Sequence, residues 1–165
     1  MSNPDNFFEK QRAASIQNRS RLCVGLDPDP RRLPDGVDLR DFLFSIVDAT
    51  SDLVASYKPN AAFFEREGVV GYRLLQELIE IIPEHIPVIL DAKRGDIGHT
   101  AAAYATAVFD VMKADAVTVN PYLGTDSVKP FLVRYVTVVI ILCKPFNASD
   151  GALQNLLVGV ANIRI

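Results

Sequence analysis

Short apolar runs alternate with longer amphipathic ones along this chain. Residues 21–26 predict a strand ending at Asp27, and residues 55–58 a second, closed by Pro59-Asn60. Between them, residues 41–56 place Phe42, Phe44, Ile46, Val47, Leu53 and Val54 mostly at helical spacing. Residues 68–82 predict a helix with a broad apolar stripe (Val69, Val70, Leu74, Leu75, Leu78, Ile79, Ile82) that stops at Pro83. A third strand is expected over 88–93, an alanine-rich helix over 100–112, a fourth strand over 116–120 and a fifth, buried one over 136–143. A turn at Pro121-Tyr122-Leu123-Gly124 follows the fourth strand, and residues 155–160 predict the start of a further helix. Phe7, Phe8 and Ile16 predict an N-terminal helix within residues 1–20 that covers the bottom of the strand array.

Strands alternating with helices imply parallel strands joined by right-handed crossovers. The strand ends at Asp27, Lys58, Lys93, Asn120 and Lys144 each carry a polar or charged group, at intervals of about thirty residues, one βα unit. In a β/α barrel of the TIM type those ends meet at one mouth, where chemistry sits. A doubly wound open sheet usually shows a glycine-rich phosphate turn after its first strand. Here that turn reads Asp27-Pro28-Asp29-Pro30, which favours the barrel plan. A complete barrel takes about 250 residues, whereas residues 1–165 form a single partial barrel of five units. Its first and fifth strands would have open edges. Either another copy covers those edges, or the arrangement is not a barrel, or the chain is a truncated form of a longer protein.

Composition narrows the function classes. The chain is 49% hydrophobic and 22% charged, as in ordinary globular proteins, and its net charge of -3 argues against nucleic acid as a partner. No signal-peptide pattern opens it, and its longest apolar run is too short to span a membrane, so the expected location is the cytoplasm. Cys23 and Cys143 sit in apolar runs and read as small core residues rather than a disulfide or zinc site. His85 reads as a surface residue between Pro83 and Pro87. His99 lies beside the charged segment described next, without a metal-ligand cluster around it.

The candidate chemistry lies in Ile89-Leu90-Asp91-Ala92-Lys93-Arg94-Gly95-Asp96-Ile97-Gly98. Strand alternation puts Asp91 and Lys93 on one face, and the glycines let Asp96 turn back toward them. Opposite charges just past a buried strand are costly to desolvate and seldom serve packing alone. The spacing predicts an active site around a charged lysine held between carboxylates.

The segment Asp91-Ala-Lys93-Arg-Gly-Asp96-Ile-Gly-His-Thr100-Ala resembles the signature of the orotidine 5′-phosphate decarboxylases, in its longer bacterial Lys-Arg-Gly-Asp form. The resemblance extends through Cys23-Val-Gly-Leu-Asp27-Pro-Asp, Tyr57-Lys58-Pro-Asn60 and Thr118-Val-Asn120-Pro-Tyr-Leu-Gly124. It implies decarboxylation of orotidine monophosphate to UMP in pyrimidine synthesis, with Lys58, Asp91, Lys93 and Asp96 as an alternating charge network. Lys93 would protonate C6 of the pyrimidine. Asp27 and Lys58 would hold ribose hydroxyls, and Thr100 would contact the ribose or phosphate region. Asn120, at the end of the fourth strand, would line the same substrate site. The residue at Asp96 would reach into a neighbouring subunit's site, so a homodimer is implied. No metal or organic cofactor is implied.

The chemistry explains those residue types. Loss of carbon dioxide from C6 leaves a carbanion that the ring cannot delocalise. An ammonium beside C6 stabilises that charge and delivers a proton. Flanking carboxylates favour the charged form of the lysine. Asp91, near the substrate carboxylate, would disfavour the ground state by repulsion.

Two features depart from the family pattern. After the fifth strand, Lys144 is followed by Pro145-Phe146-Asn147 where the family places a hydroxyl-bearing run, and Ser149 is the nearest substitute. The family's phosphate-gripping glutamine and arginine have no counterpart, and such remote binding normally helps to lower the chemical barrier. The alternative is therefore a catalytically inactive barrel fragment or assembly module. The related hexulose-phosphate synthases share Asp-x-Lys-x-x-Asp but use magnesium and an acidic residue on the second strand, where this chain has Lys58.

Overall fold

A computed structural model describes residues 6–134, 136–144, 147–155, 157–158 and 163–164. Five short strands build the parallel array: β1 (Cys23–Leu26), β2 (Ser56–Pro59), β3 (Ile89–Arg94), β4 (Ala116–Val119) and β5 (Val138–Ile141). β1 pairs with β2, β3 with β4 and β4 with β5, all parallel. Parallel bridges between Tyr57 and Val88 and between Asn60 and Asp91 join β2 to β3. Each strand therefore lies beside its predecessor, winding in one direction as a barrel does, and all C-terminal ends share one rim.

Helices fill the connections. α1 (Phe7–Gln17) precedes the array, and α2 (Leu39–Thr50), α3 (Ala61–Glu65), α4 (Gly68–Ile81), α5 (Gly98–Thr106) and α6 (Thr125–Leu132) link the strands. Asp38 starts α2 by accepting the Arg40 N–H, and Asn60 starts α3 by accepting that of Ala62. The helix expected over 100–112 is α5 followed by a wider turn at Ala107–Val111, closed by the Met112 N–H on the Ala107 carbonyl. α3 and α6 were not expected from the sequence. α3 is barely more than one turn long, and Gly124 and Pro130 disguise α6 as a loop.

The core lies between strands and helices. Leu43 and Val47 of α2, Leu75 and Leu78 of α4, and Phe131 of α6 pack with Tyr57, Leu90, Val117 and Val119. Each such aliphatic side chain contributes about 1.5–3 kcal/mol by leaving water. α1 lies across the N-terminal ends of β3, β4 and β5. Phe7 is buried against Ile89 and Ala116, and its N–H donates to the Val136 carbonyl at 3.2 Å. Lys10 Nζ donates to Asp115 Oδ1 at 2.7 Å, while Asp115 Oδ2 accepts the Val88 N–H at 2.9 Å. Phe8 and Ile16 of the same helix face outward.

Several sequence expectations fail for one reason: an apolar run predicts an extended segment or a helix, not a neighbour to cover it. Cys23 and Cys143 are exposed rather than core residues. β5 is shorter than expected, and Ile140 and Ile141 are exposed, because β5 is the last strand of the parallel array among the described residues. Val69 and Val70 also face solvent. The core-facing arc of α4 begins at Gly71, where a Cβ would collide with the Phe64 carbonyl of α3. The helix expected over 155–160 is a single turn earlier in the chain, α7 (Gly151–Gln154). Two short antiparallel strands follow, β6 (Leu157–Val158) and β7 (Ile163–Arg164). Short apolar runs satisfy either periodicity, and here the extended one prevails.

Candidate active site

The chemistry-bearing residues of β3 meet because the strand breaks its own alternation. Leu90 pairs with Val117, but the next pair in register is Arg94 with Val119. Asp91, Ala92 and Lys93 thus bulge opposite the single residue Thr118. Lys93 takes up the bend with φ of +46°, a left-handed conformation that few side chains adopt. Asp91 and Lys93 therefore share a side through the bulge, not through the simple alternation expected of a strand.

Asp91 is the hub. Its Oδ1 accepts from Lys93 Nζ at 2.6 Å and from the Thr118 hydroxyl at 2.7 Å. Its Oδ2 accepts from Lys58 Nζ, on the neighbouring strand β2, at 3.4 Å. The carboxylate is 12% exposed, against 36% for the Lys58 side chain and 52% for Lys93. The anion is thus sheltered, while both ammonium groups remain open to a ligand. Burial by itself would push the Asp91 carboxyl up. Hydrogen bonds from Lys93 and Thr118, with the Lys93 and Lys58 charges, outweigh it and hold the carboxyl below the ordinary carboxylate range.

Among the described residues, the other expected site residues make no hydrogen bond or ion pair with this hub. Asp96 is half-buried beyond the end of β3, and its Oδ1 accepts the Ile97 N–H at 2.8 Å. Its side chain forms no ion pair with Lys58 or Lys93 among the described residues, so the turn does not bring it back into the cluster. Thr100 sits in the first turn of α5. Asn120 follows β4, donates its N–H to the Arg94 carbonyl at 2.7 Å and accepts the Tyr122 N–H on its side chain at 3.0 Å. Gly95 passes so close that a Cβ there would lie 3.2 Å from the Asn120 carbonyl oxygen. Asp27 is exposed past β1, in a separate cleft of about 530 Å³ shared with Arg31, Arg32 and Phe63. Arg31 makes two hydrogen bonds to Asp29, and that contact holds the Asp29 carboxyl at about 2.

Sequence reasoning passed over two residues. Thr118, 7% exposed, is the lone hydroxyl in the apolar strand Ala116-Val-Thr-Val119, and that isolation was the available signal. Arg94 turns away from Lys93, pairs with Glu65 of α3 and lies over the Tyr104 ring of α5 at 5.0 Å. It ties α3 and α5 to the end of β3.

Relatives share this arrangement of segments. The chain is 52% identical over 156 residues to the orotidine 5′-phosphate decarboxylase of Herpetosiphon aurantiacus, covering 92% of this chain and 58% of that protein. It is 49% identical over 162 residues to the corresponding Azoarcus protein, covering 93% and 59%. The chain thus spans less than two thirds of the curated relatives it matches. Among solved structures, the Leishmania donovani OMP decarboxylase superimposes with a TM-score of 0.83 at 41% identity, over 94% of this chain and 60% of the other. Those neighbours are barrels, of which the five parallel strands here form an open part. The family model for orotidine 5′-phosphate decarboxylase / HUMPS matches residues 20–155, the span holding β1 to β5 and the Asp91 hub. The chain belongs to the orotidine 5′-phosphate decarboxylase / HUMPS family.

Proposed function

We propose that the chain serves decarboxylation of orotidine 5′-monophosphate to UMP, with Lys93 as the proton donor. The observation that carries this reading is the convergence of Lys58 and Lys93 on one sheltered carboxylate, Asp91, at the C-terminal rim. The bond from C6 to the carboxylate breaks, carbon dioxide leaves, and the electron pair stays on C6. Lys93 Nζ then gives its proton to C6, forming UMP and a neutral amine that regains a proton from solvent. Asp91 fixes the ammonium in place, and Lys58 offsets the anion's charge. Lys58 on the second strand also favours this reading over the hexulose-phosphate synthase branch.

Asp27, Lys58, Thr100 and Asn120 are the proposed substrate contacts. Asp96, which forms no ion pair with the hub of its own chain among the described residues, would complete the site of a second copy in a homodimer. The proposed location is the cytoplasm; no described helix is long and apolar enough to cross a membrane. The reaction as proposed uses no cofactor.

The test is the loss of orotidine monophosphate absorbance, with and without EDTA, for the wild type and Lys93→Ala. Turnover that resists the chelator and disappears in the variant supports the proposal. β5, whose outer edge pairs with no further strand among the described residues, favours a second reading, in which the chain is an inactive part of a barrel. Absence of turnover, together with no calorimetric binding of UMP, selects it.

A further inference from the structure

We infer that Thr118 is a positioning residue for the Asp91–Lys93 pair, its hydroxyl holding both the carboxylate and the bent backbone of β3. The inference deepens the decarboxylase reading and rests on it for its kinetic consequence. The geometry is that of a side chain replacing part of a backbone ladder. At the bulge, three residues of β3 face one residue of β4, so regular pairing cannot satisfy every N–H. The Lys93 N–H donates to Thr118 Oγ1 at 2.9 Å, and the same hydroxyl donates its proton to Asp91 Oδ1 at 2.7 Å. A hydroxyl can serve as acceptor and donor at once, which neither valine nor alanine can do.

The consequence is directional. The Lys93 N–H fixes the oxygen of Thr118, and the threonine proton is then committed to Asp91. Asp91 Oδ1 is thereby held where Lys93 Nζ meets it at 2.6 Å. One buried hydroxyl so couples the left-handed bend at Lys93 to the placement of its own ammonium group. Without it, the part-buried Lys93 N–H loses its acceptor and the carboxylate loses one of its three donors, and small displacements of reacting groups carry large rate costs.

Thr118→Val removes the hydroxyl while keeping a β-branched side chain, and Thr118→Ser keeps the hydroxyl. Thr118→Ala replaces the valine variant if the added methyl crowds Asp91 enough to unfold the chain. In a decarboxylation assay, the valine variant is expected to lower kcat by roughly tenfold to a hundredfold, with KM changed by less than about threefold. Serine is expected to restore most of the rate. Independently of turnover, carbon NMR of the Asp91 carboxyl in the ligand-free chain should titrate at higher pH in the valine variant and near the wild-type midpoint in the serine variant. An unchanged Asp91 midpoint in Thr118→Val, or equal losses in the valine and serine variants, overturns the inference. If the wild type shows no turnover, the decarboxylase reading fails, and the titration alone decides whether Thr118 positions Asp91.

Discussion

Lys93 Nζ lies 2.6 Å from Asp91 Oδ1, two residues back on the same strand, and Lys93 reaches it from a backbone at φ +46°. A contact between i and i+2 on a regular strand would run parallel to the chain. Here the pair forms at a bulge, and the other oxygen of Asp91 meets Lys58 of β2 at 3.4 Å. The ion pair and the strained backbone are thus one feature.

The Asp91 carboxyl makes the cluster pH-dependent. Its folded-state pKa lies below the ordinary value of about 3.9 for an unfolded chain. A lowered carboxyl stabilises the fold fully above that ordinary value, and the contribution is lost as pH falls through the folded-state pKa. The stability difference between wild type and Asp91→Asn should therefore be largest near neutrality and shrink below about pH 4. Urea denaturation at pH 7, 4 and 3 measures it, and a difference that grows on acidification contradicts the assignment.

Gly95 sets the distance between the end of β3 and Asn120. A methyl group at 95 would lie 3.2 Å from the Asn120 carbonyl oxygen and 3.3 Å from its Cβ, so Asn120 must retreat by a few tenths of an ångström. Gly95→Ala should cost at most about 1–2 kcal/mol of stability, while lowering orotidine monophosphate turnover by an order of magnitude. Paired melting and kinetic measurements separate the two effects.

Tyr57 is fully buried on β2, and its hydroxyl joins the strand to α2. It lies 2.7 Å from Thr50 Oγ1 and donates to the Val47 carbonyl at 3.2 Å. Burial pushes the phenol above its usual pKa. Tyr57→Phe should destabilise the chain by about 1–2 kcal/mol, the cost of losing the hydroxyl's buried contacts to Thr50 and Val47 with its packing intact. A change below the error of denaturant titration would show that solvent replaces the bond.

Asp115 joins α1 to the bottom of the array by holding Lys10 and the Val88 N–H on separate oxygens. Asp115→Ala leaves both donors without that partner and should cost about 2–3 kcal/mol. Hydrogen exchange should rise in α1 and at Val88, while the Asp91 hub at the opposite rim keeps its protection. Uniform loosening of the whole chain would mean that α1 is not a separately docked element.

The βα order, the parallel winding and the charged rim are legible in the residue pattern alone. Those follow from local periodicity and from turn and stop residues such as Pro59-Asn60 and Pro83, which act over a few neighbouring positions. The sequence also marked Lys58, Asp91 and Lys93, because charges closing apolar strands have few packing roles. Which of them meet depends on the pairing of β3 with its neighbours. The bulge at β3 exists only against β4, so neither the bend at Lys93 nor the part of Thr118 could be read from one strand alone. Burial was decided in the same way. Cys23, Ile140 and Ile141 lie in strand-forming runs, yet whether water reaches them depends on which element lies alongside, and that is a property of the assembled array.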